Sequence, residues 1–164
     1  MIKKITLSLL FVLFTIGSFS QTIVSTNPEN RNVVLEEFTG IHCVWCPDGH
    51  AIAQAMQNNN PGDVFLINIH EGGFAVPGVG EPDFRTPFGT AIANQAYGGP
   101  SGHFYPAGSI NRHVFSGSTT AMSRSLWTSS GNTVMGQNTY VNVGVEADID
   151  VQTREVTVHV EVYY

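Results

Sequence analysis

The sequence predicts an α/β domain followed by an antiparallel β region. Between residues 33 and 136, apolar runs of strand length alternate with segments of helical periodicity. The two cysteines of the chain, Cys43 and Cys46, lie between the first apolar run and the first helical segment. From residue 139 onward apolar residues recur at every second position, which is typical of a half-buried hairpin.

The first twenty residues have the pattern of a secretory signal peptide. Lys3 and Lys4 precede an apolar stretch, ITLSLLFVLFTIG, which is too short to span a bilayer. The small residues Ser18 and Ser20 predict cleavage before Gln21. We therefore expect export to the periplasm, the outer membrane or the cell exterior, where a cysteine pair can be oxidised.

Cleavage would make the chain more acidic. Both lysines would leave, so five arginines would face thirteen acidic residues and the formal charge would change from −6 to −8. An acidic, lysine-free chain repels phosphate backbones and anionic lipid, which argues against nucleic-acid partners. We expect no integral membrane span after cleavage.

The first half of the chain predicts a linker, two strands and a helix. Residues 21–32 are polar and lack periodicity, so we interpret them as a linker. Residues 32–39, NVVLEEFT, predict a buried strand, and residues 63–70, DVFLINIH, predict a second. Helical spacing predicts a helix over residues 44–57, which the following Asn-Asn-Asn-Pro-Gly run ends.

The second half begins with a long glycine- and proline-rich segment, residues 71–87. A loop of this length inside a compact domain is usually functional, and we expect a substrate rim or lid. Residues 88–97 predict a helix, and residues 107–115 predict a third strand. Ser118 or Thr119 can cap a further helix. That predicted helix carries Met122, Leu126 and Trp127.

The last segment, residues 137–164, predicts an antiparallel hairpin that turns near Gln152 and Thr153. A lone hairpin is marginal in water, and the sequence stops in mid-alternation. We expect it to be the start of a β-domain in a longer protein. The predicted organisation is a signal peptide over 1–20, a linker over 21–32, an α/β domain over 33–136 and this hairpin.

The cysteine pair is placed for redox chemistry. Unpaired backbone N–H groups and the positive end of the dipole at a helix start stabilise a thiolate. We expect Cys43 to be exposed at that end and to act as the nucleophile. Cys46, one turn further in and more buried, would be the resolving thiol. Pro47 suits an early helical position.

The segment VVLEEFTGIHCVWCP resembles the active-site segment of the thioredoxin superfamily. Glu37 and Phe38 precede Cys43 by six and five residues, where thioredoxins carry a buried acid followed by phenylalanine. The Tyr105-Pro106 pair resembles the cis-proline loop that faces the dithiol in that fold. The resemblance implies a three-layer fold in which helices flank a central mixed sheet.

A narrower resemblance rests on LEEFTG, HC and CPDGH, then DFRT and YPAGSINR. These motifs, within residues 33–130, are similar to a secreted thioredoxin-fold family named after a twenty-eight-kilodalton outer-membrane protein. Members of that family tend to continue into a β-sandwich-like region, and the C-terminal hairpin would be the start of such a region. The short link after Phe115 leaves little room for the final sheet strand of a complete thioredoxin.

The resemblance implies thiol–disulfide exchange with protein substrates or a redox partner protein, without a cofactor. Cys43 would attack a substrate disulfide, and Cys46 would resolve the mixed disulfide. Glu37 would accept the proton of Cys46, and protonated His42 would favour the Cys43 thiolate. The candidate substrate contacts are Tyr105, Pro106 and Trp45.

Two other functions remain open on the sequence. In the first, the chain is a non-enzymatic binding protein of the surface or outer membrane, and Cys43–Cys46 is a structural clip. In the second, Cys43, Cys46 and His50 bind copper or zinc, since His50 shares a helix face with Cys46. Against a zinc site, the sequence shows no second ligand pair at the usual spacing.

Overall fold

A computed structural model describes residues 23–164, which divide into two compact units. The larger is Glu29–Thr139, and the smaller joins the described residues up to Pro28 with Tyr140–Tyr164. The predicted signal peptide and its cleavage site lie outside the described residues. Over the described range, no helix combines the length and apolar character that crossing a membrane requires.

The apolar runs of the larger unit form a four-stranded mixed sheet. Its strands are β1 (Val33–Thr39), β2 (Val64–His70), β3 (Ala107–Ile110) and β4 (Met122–Ser123), and they lie in the order β2-β1-β3-β4. β1 pairs in parallel with β2 and antiparallel with β3, and β3 pairs antiparallel with β4. β1 is therefore an interior strand, which explains its nearly continuous burial.

Three helices cover the sheet: α1 (Cys46–Asn59), α2 (Pro87–Tyr97) and α3 (Trp127–Met135). Side chains of a strand alternate between its faces, so β1 contributes to two separate cores. One core joins β1 to α1 and α3, and it includes Val33, Leu35, Ala53, Met56, Trp127 and Val134. The other joins β1 and β2 to α2, and it includes Phe38, Ile69, Ala93 and Ala96. The predicted three-layer, thioredoxin-like fold class is confirmed.

The smaller unit is a two-stranded antiparallel sheet, as the alternation predicted. Its strands are β5 (Asn142–Asp150) and β6 (Glu155–Tyr163). The Asp150 carboxylate accepts hydrogen bonds from the backbone N–H groups of Gln152 and Thr153 and so fixes the connecting turn.

The two faces of this hairpin differ. Its apolar side chains pair across the strands on one face, which is about half exposed. On the other face, the Glu161 carboxylate accepts a hydrogen bond of 2.8 Å from Ile23 N–H. The Asn142 side chain donates to the carbonyls of Ser25 and Asn27. The described start of the predicted linker thus lies along the polar face of the hairpin.

The prediction that β3 extends to Phe115 is wrong, because the strand ends at Ile110. Asn111 and Arg112 both have a φ of 49°, which lies in the left-handed region and breaks the extended chain. The Asn111 side chain accepts a 2.7 Å hydrogen bond from Val34 N–H and fixes this bend against β1.

The helix predicted from Ser118 or Thr119 begins only at Trp127. Met122 instead lies in β4, where it pairs with Gly108 of β3. The sheet therefore has a final strand, for which the link after Phe115 seemed too short. A 3-10 turn, Arg124–Leu126, links β4 to α3. At the other end of the unit, α1 begins at Cys46 rather than Val44, because the two preceding residues belong to a turn.

Candidate redox site

The cysteine pair closes the turn between β1 and α1. Cys43 and Cys46 form a disulfide with a Cα–Cα distance of 5.4 Å. Cys46 is the first residue of α1 and is 1% exposed, whereas Cys43 is 8% exposed. Cys43 is thus the more accessible of the two, as expected of a nucleophile, but the prediction that it is exposed is wrong.

The loop that follows β2 packs against the segment that leads into the cysteine pair. His42 N–H donates a 2.9 Å hydrogen bond to the Phe74 carbonyl, which ties this loop to the chain just before Cys43. Gly40 lies directly against the Phe74 backbone, so even a methyl group there would clash. The loop predicted to be a substrate rim therefore packs against residues 40–42, directly before Cys43.

Both residues between the cysteines point outward. Val44 is 83% exposed and Trp45 is 65% exposed, as a candidate substrate contact requires. The Arg124 guanidinium lies 5.9 Å from the centroid of the Trp45 ring and also pairs with Asp48 on α1. The exposed Trp45 ring therefore lies next to the disulfide, with the Arg124 guanidinium nearby.

Glu37 points from β1 toward the first turn of α1. It is 1% exposed, and its Oε2 lies 3.0 Å from His50 Nδ1. Its other oxygen, Oε1, is buried and has no hydrogen-bond partner among residues 23–164. Burial raises the pKa of Glu37, and the neighbouring His50 partly opposes that rise. The carboxyl is thus suited to hold a proton at a pH where an exposed glutamate would be ionised.

Oε1 faces Gly49 and Pro106. A Cβ built at Gly49 would lie 2.9 Å from this oxygen and 2.9 Å from Pro106 Cβ. Only a glycine leaves room for the carboxyl, the helix and the proline to meet here. The carboxyl predicted to take the proton of Cys46 therefore lies against the helical turn that Cys46 begins.

The Tyr105–Pro106 peptide bond is cis, as the sequence predicted, and Pro106 is fully buried. The Tyr105 hydroxyl donates a 2.5 Å hydrogen bond to the Glu71 carboxylate, and the Tyr105 ring meets Phe74 edge-on. Burial, and then the hydrogen bond to Glu71, raise the pKa of Tyr105. The two predicted site residues are thus held on the same side of the unit as the cysteine pair.

Glu71 is a site residue that the sequence interpretation missed. It is 2% exposed and accepts hydrogen bonds from Tyr105 and, at 3.2 Å, from His103 Nδ1. His103 in turn stacks on Tyr97, with ring centroids 4.1 Å apart. The sequence signal for Glu71 was its position directly after the apolar strand that ends at His70. That signal did not suffice, because the partners of Glu71 lie more than thirty residues away along the chain.

His42 lies beside the cysteine pair, and its Nε2 is 2.9 Å from the Glu81 carboxylate of the rim loop. A hydrogen bond from Gly78 N–H, and then His42, hold the pKa of Glu81 below its usual range. This contact links the predicted thiolate-stabilising histidine to the rim loop.

Glu36, which the sequence placed beside Glu37 without a role, is also buried. The Arg112 guanidinium donates to both oxygens of its carboxylate: Nε–H is shared between Oε1 and Oε2 at 3.0 Å each, and Nη2 donates to Oε1 at 2.5 Å. This charge-assisted pair, on the opposite side of β1 from Glu37, satisfies the buried acid and raises the pKa of Arg112. The two adjacent acids therefore differ: one is paired with an arginine, and the other keeps an unpartnered oxygen.

The predicted alternative metal set, Cys43, Cys46 and His50, is not assembled. Within residues 23–164, no three His, Cys, Asp or Glu side chains are grouped so that they could hold a metal ion. His50 points instead to Glu37, and both sulfurs belong to the disulfide.

No family model matches this chain, and no curated protein matches it in sequence. Two solved structures are similar to it in fold. A protein from Agrobacterium tumefaciens has 18% sequence identity and a TM-score of 0.50 over 79% of this chain. HBP35 of Porphyromonas gingivalis has 22% identity and a TM-score of 0.50 over 73% of this chain. At these identities the likeness shows the fold alone. The chain spans 56% of the first protein and 38% of the second.

Proposed function

We propose that this chain is an exported thiol–disulfide oxidoreductase that exchanges Cys43–Cys46 with protein thiols. The observation that carries the proposal is the unpartnered, buried Oε1 of Glu37 against the first turn of α1, whose first residue is Cys46. A structural clip needs no proton acceptor at this position. A dithiol enzyme does, because one thiol gains or loses a proton each time the disulfide opens or closes.

In the oxidising direction, a thiolate of a reduced protein attacks Cys43 Sγ. The Cys43–Cys46 bond breaks, Cys46 leaves as a thiolate, and a mixed disulfide joins Cys43 to the substrate. A second substrate thiolate attacks the substrate sulfur of that bond and releases Cys43 as a thiolate. Two electrons pass from the substrate dithiol to the chain. The two cysteines take up two protons and the two substrate thiols release two, so the protons balance. The reverse sequence reduces a substrate disulfide.

The surrounding residues have matching roles. Protonated Glu37 gives its proton to the leaving Cys46 thiolate in the oxidising direction and takes it back in the reverse direction. Tyr105 and Pro106 hold the substrate chain beside the disulfide, and the exposed Trp45 provides an apolar contact. His42 favours the Cys43 thiolate when it is protonated. Because Cys43 is only 8% exposed, a protein substrate reaches its sulfur only when neighbouring residues move.

A trapping experiment tests this function. The Cys46→Ser variant is expressed with its first twenty residues in a bacterial host, and proteins bound to Cys43 are recovered under non-reducing conditions. We expect mixed disulfides that reducing agent releases and that the Cys43→Ser, Cys46→Ser double variant lacks. If the single and double variants capture the same proteins, the chain is a binding protein on this scaffold and the disulfide is a clip.

A further inference from the structure

Within residues 23–164, the buried Glu37 carboxyl is hydrogen-bonded to a partly exposed titratable side chain, that of His50. The Glu37 side chain is 2% exposed, whereas the His50 side chain is 41% exposed. A carboxyl that gives its proton to a thiolate at each turnover must recover it from water. Pro106 and Gly49 cover its Oε1, so Oε2 is the oxygen through which a proton can return.

His50 is held in place for such a transfer. It lies four residues after Cys46 on α1, so it shares a face of the helix with that cysteine. Its Nδ1 is 3.0 Å from Glu37 Oε2, and its Nε2 is 3.4 Å from Thr39 Oγ1 at the end of β1. Nδ1 thus faces the buried acid, while the side chain as a whole is 41% exposed. An imidazole ring can take up a proton at one nitrogen while it gives one up from the other.

We propose that His50 carries the proton between Glu37 and solvent when the disulfide opens or closes. The inference rests on the proposed redox function of Cys43–Cys46. His50 acts through Glu37 and is therefore a positioning residue for proton transfer. The sequence interpretation gave it only a place in a metal set.

A thiol opens the disulfide by attacking Cys43 Sγ. Cys46 leaves as a thiolate and takes the proton of Glu37. The resulting carboxylate takes the Nδ1 proton of His50 through Oε2, while the other ring nitrogen, Nε2, takes a proton from water. His50 therefore carries one ring proton before and after the transfer. The net change is one solvent proton delivered to the Cys46 thiol, and closing the disulfide reverses every step.

Other titratable groups near this pair compete little for the role. His70 of β2 lies opposite Thr39, and burial, followed by the nearby His50, lowers its pKa. Its Nδ1 is buried without a partner, so it makes no hydrogen bond toward Glu37 through that atom. Asp48, also on α1, is paired with Arg124, and Tyr105 is bonded to Glu71. His50 alone among these groups joins the acid by a hydrogen bond in the described structure.

The rate at which dithiothreitol reduces the disulfide of the purified chain tests the relay, because this small dithiol reacts whether or not a protein substrate exists. We compare the wild type with His50→Ala, His50→Gln, Glu37→Gln and a control, His113→Gln, from the loop after β3. Between pH 6 and 9 the rate per dithiothreitol thiolate should fall about tenfold in both His50 variants and in Glu37→Gln. The His113 variant should match the wild type.

Chemical rescue separates proton transfer from a structural role. Added imidazole should restore most of the rate of His50→Ala, since it can occupy the vacated, half-exposed position. It should not restore Glu37→Gln, and the double variant should be no slower than either single one. A wild-type rate in both His50 variants overturns the relay, as does a loss that imidazole does not repair in a variant with the wild-type Tm. If the His50 variants react as predicted but the Cys46→Ser variant captures no protein, the proposed function is wrong and the proton relay still stands.

Discussion

Glu37 has two oxygens in different environments, and this difference explains much of the site. Oε2 meets His50, while Oε1 is enclosed by Gly49 and Pro106 without a hydrogen bond. Burying a carboxylate with half of its hydrogen-bonding capacity unused costs free energy, so the neutral form is favoured. If Glu37 had only a structural role, glutamine would fill the position at a lower free-energy cost. The cost of burying an acid here is therefore itself an indication of function.

The Glu37→Gln variant should be more stable than the wild type at high pH. Because the pKa of Glu37 is raised above its ordinary value of 4.5, the folded state binds the proton more tightly than the unfolded state does. The free energy of unfolding therefore falls as the pH rises from about that ordinary value through the raised pKa. The variant lacks this loss, so its free energy of unfolding should exceed that of the wild type at pH 8.

Denaturant unfolding at pH 4 and pH 8 measures the effect. The gain should disappear at pH 4, where Glu37 is protonated in both states. Glu146→Gln, on the exposed hairpin, is the matched control and should show no such pH dependence. A Glu37→Gln variant that is less stable than the wild type at pH 8 would show that the His50 ion pair outweighs the cost of burial.

Tyr105→Phe should destabilise the larger unit by about 1–3 kcal/mol, because it removes a hydrogen bond to the buried Glu71 carboxylate. It should also slow disulfide exchange, since Tyr105 positions Pro106. Thermal unfolding and the dithiothreitol assay measure both effects. Tyr164→Phe, at a 94% exposed position, provides the control. An unchanged Tm would mean that His103 alone satisfies Glu71.

At the scale of elements, the site depends on how closely α1 approaches the loop before β3. Gly49 is the contact point, because a side chain there would meet both Glu37 and Pro106. Cys43 lies in the turn before α1, while α1 itself carries Cys46, Gly49 and His50. One helix thus contacts the buried acid through Gly49 and His50 and begins with the proposed resolving thiol.

Gly49→Ala should destabilise the protein even though alanine is the better helix former by about 1 kcal/mol. The new methyl group would lie 2.9 Å from Glu37 Oε1 and Pro106 Cβ, and such overpacking typically costs about 1–3 kcal/mol. Thermal unfolding gives the sign directly. Gln54→Ala, at an exposed position of the same helix, should be neutral or slightly stabilising. A more stable Gly49→Ala variant would show that the contact is looser than described.

The sequence was most informative where a pattern repeats. Periodicity located β1, β2, α1, α2 and the hairpin, and the offset of Glu37 from Cys43 located the buried acid. It failed where long-range contacts decide the local structure. The end of β3 depends on Asn111 bonding to Val34, and β4 has two residues, too few to show a period. The partner of Glu37, His50, was considered only as a possible metal ligand, and Glu71 was not identified.

At the scale of the whole molecule, the described chain has two units with different character. The larger contains the candidate site, and the smaller is a hairpin whose valine-rich face is about half exposed. The proposed function requires an oxidising compartment, which links it to the predicted signal peptide. An exported enzyme of this kind would meet unfolded or partly oxidised proteins as substrates.

Export can be checked by mass spectrometry. Expressed in full in a bacterial host, the protein should be recovered outside the cytoplasm without its first twenty residues and should begin at Gln21. Replacing Leu9 and Leu10 with arginine should interrupt the apolar stretch and retain the full-length protein in the cytoplasm. Recovery of uncleaved protein from the cytoplasm in both cases would contradict export.

The central claim is that Cys43–Cys46 exchanges electrons with protein thiols. It is tested most directly by mixing the oxidised wild-type chain with reduced, unfolded ribonuclease and counting free thiols by alkylation and mass spectrometry. We predict that both cysteines become alkylated while ribonuclease loses two thiols for each chain reduced. If the disulfide stays closed toward ribonuclease while dithiothreitol opens it, the pair is a structural clip and the account is wrong.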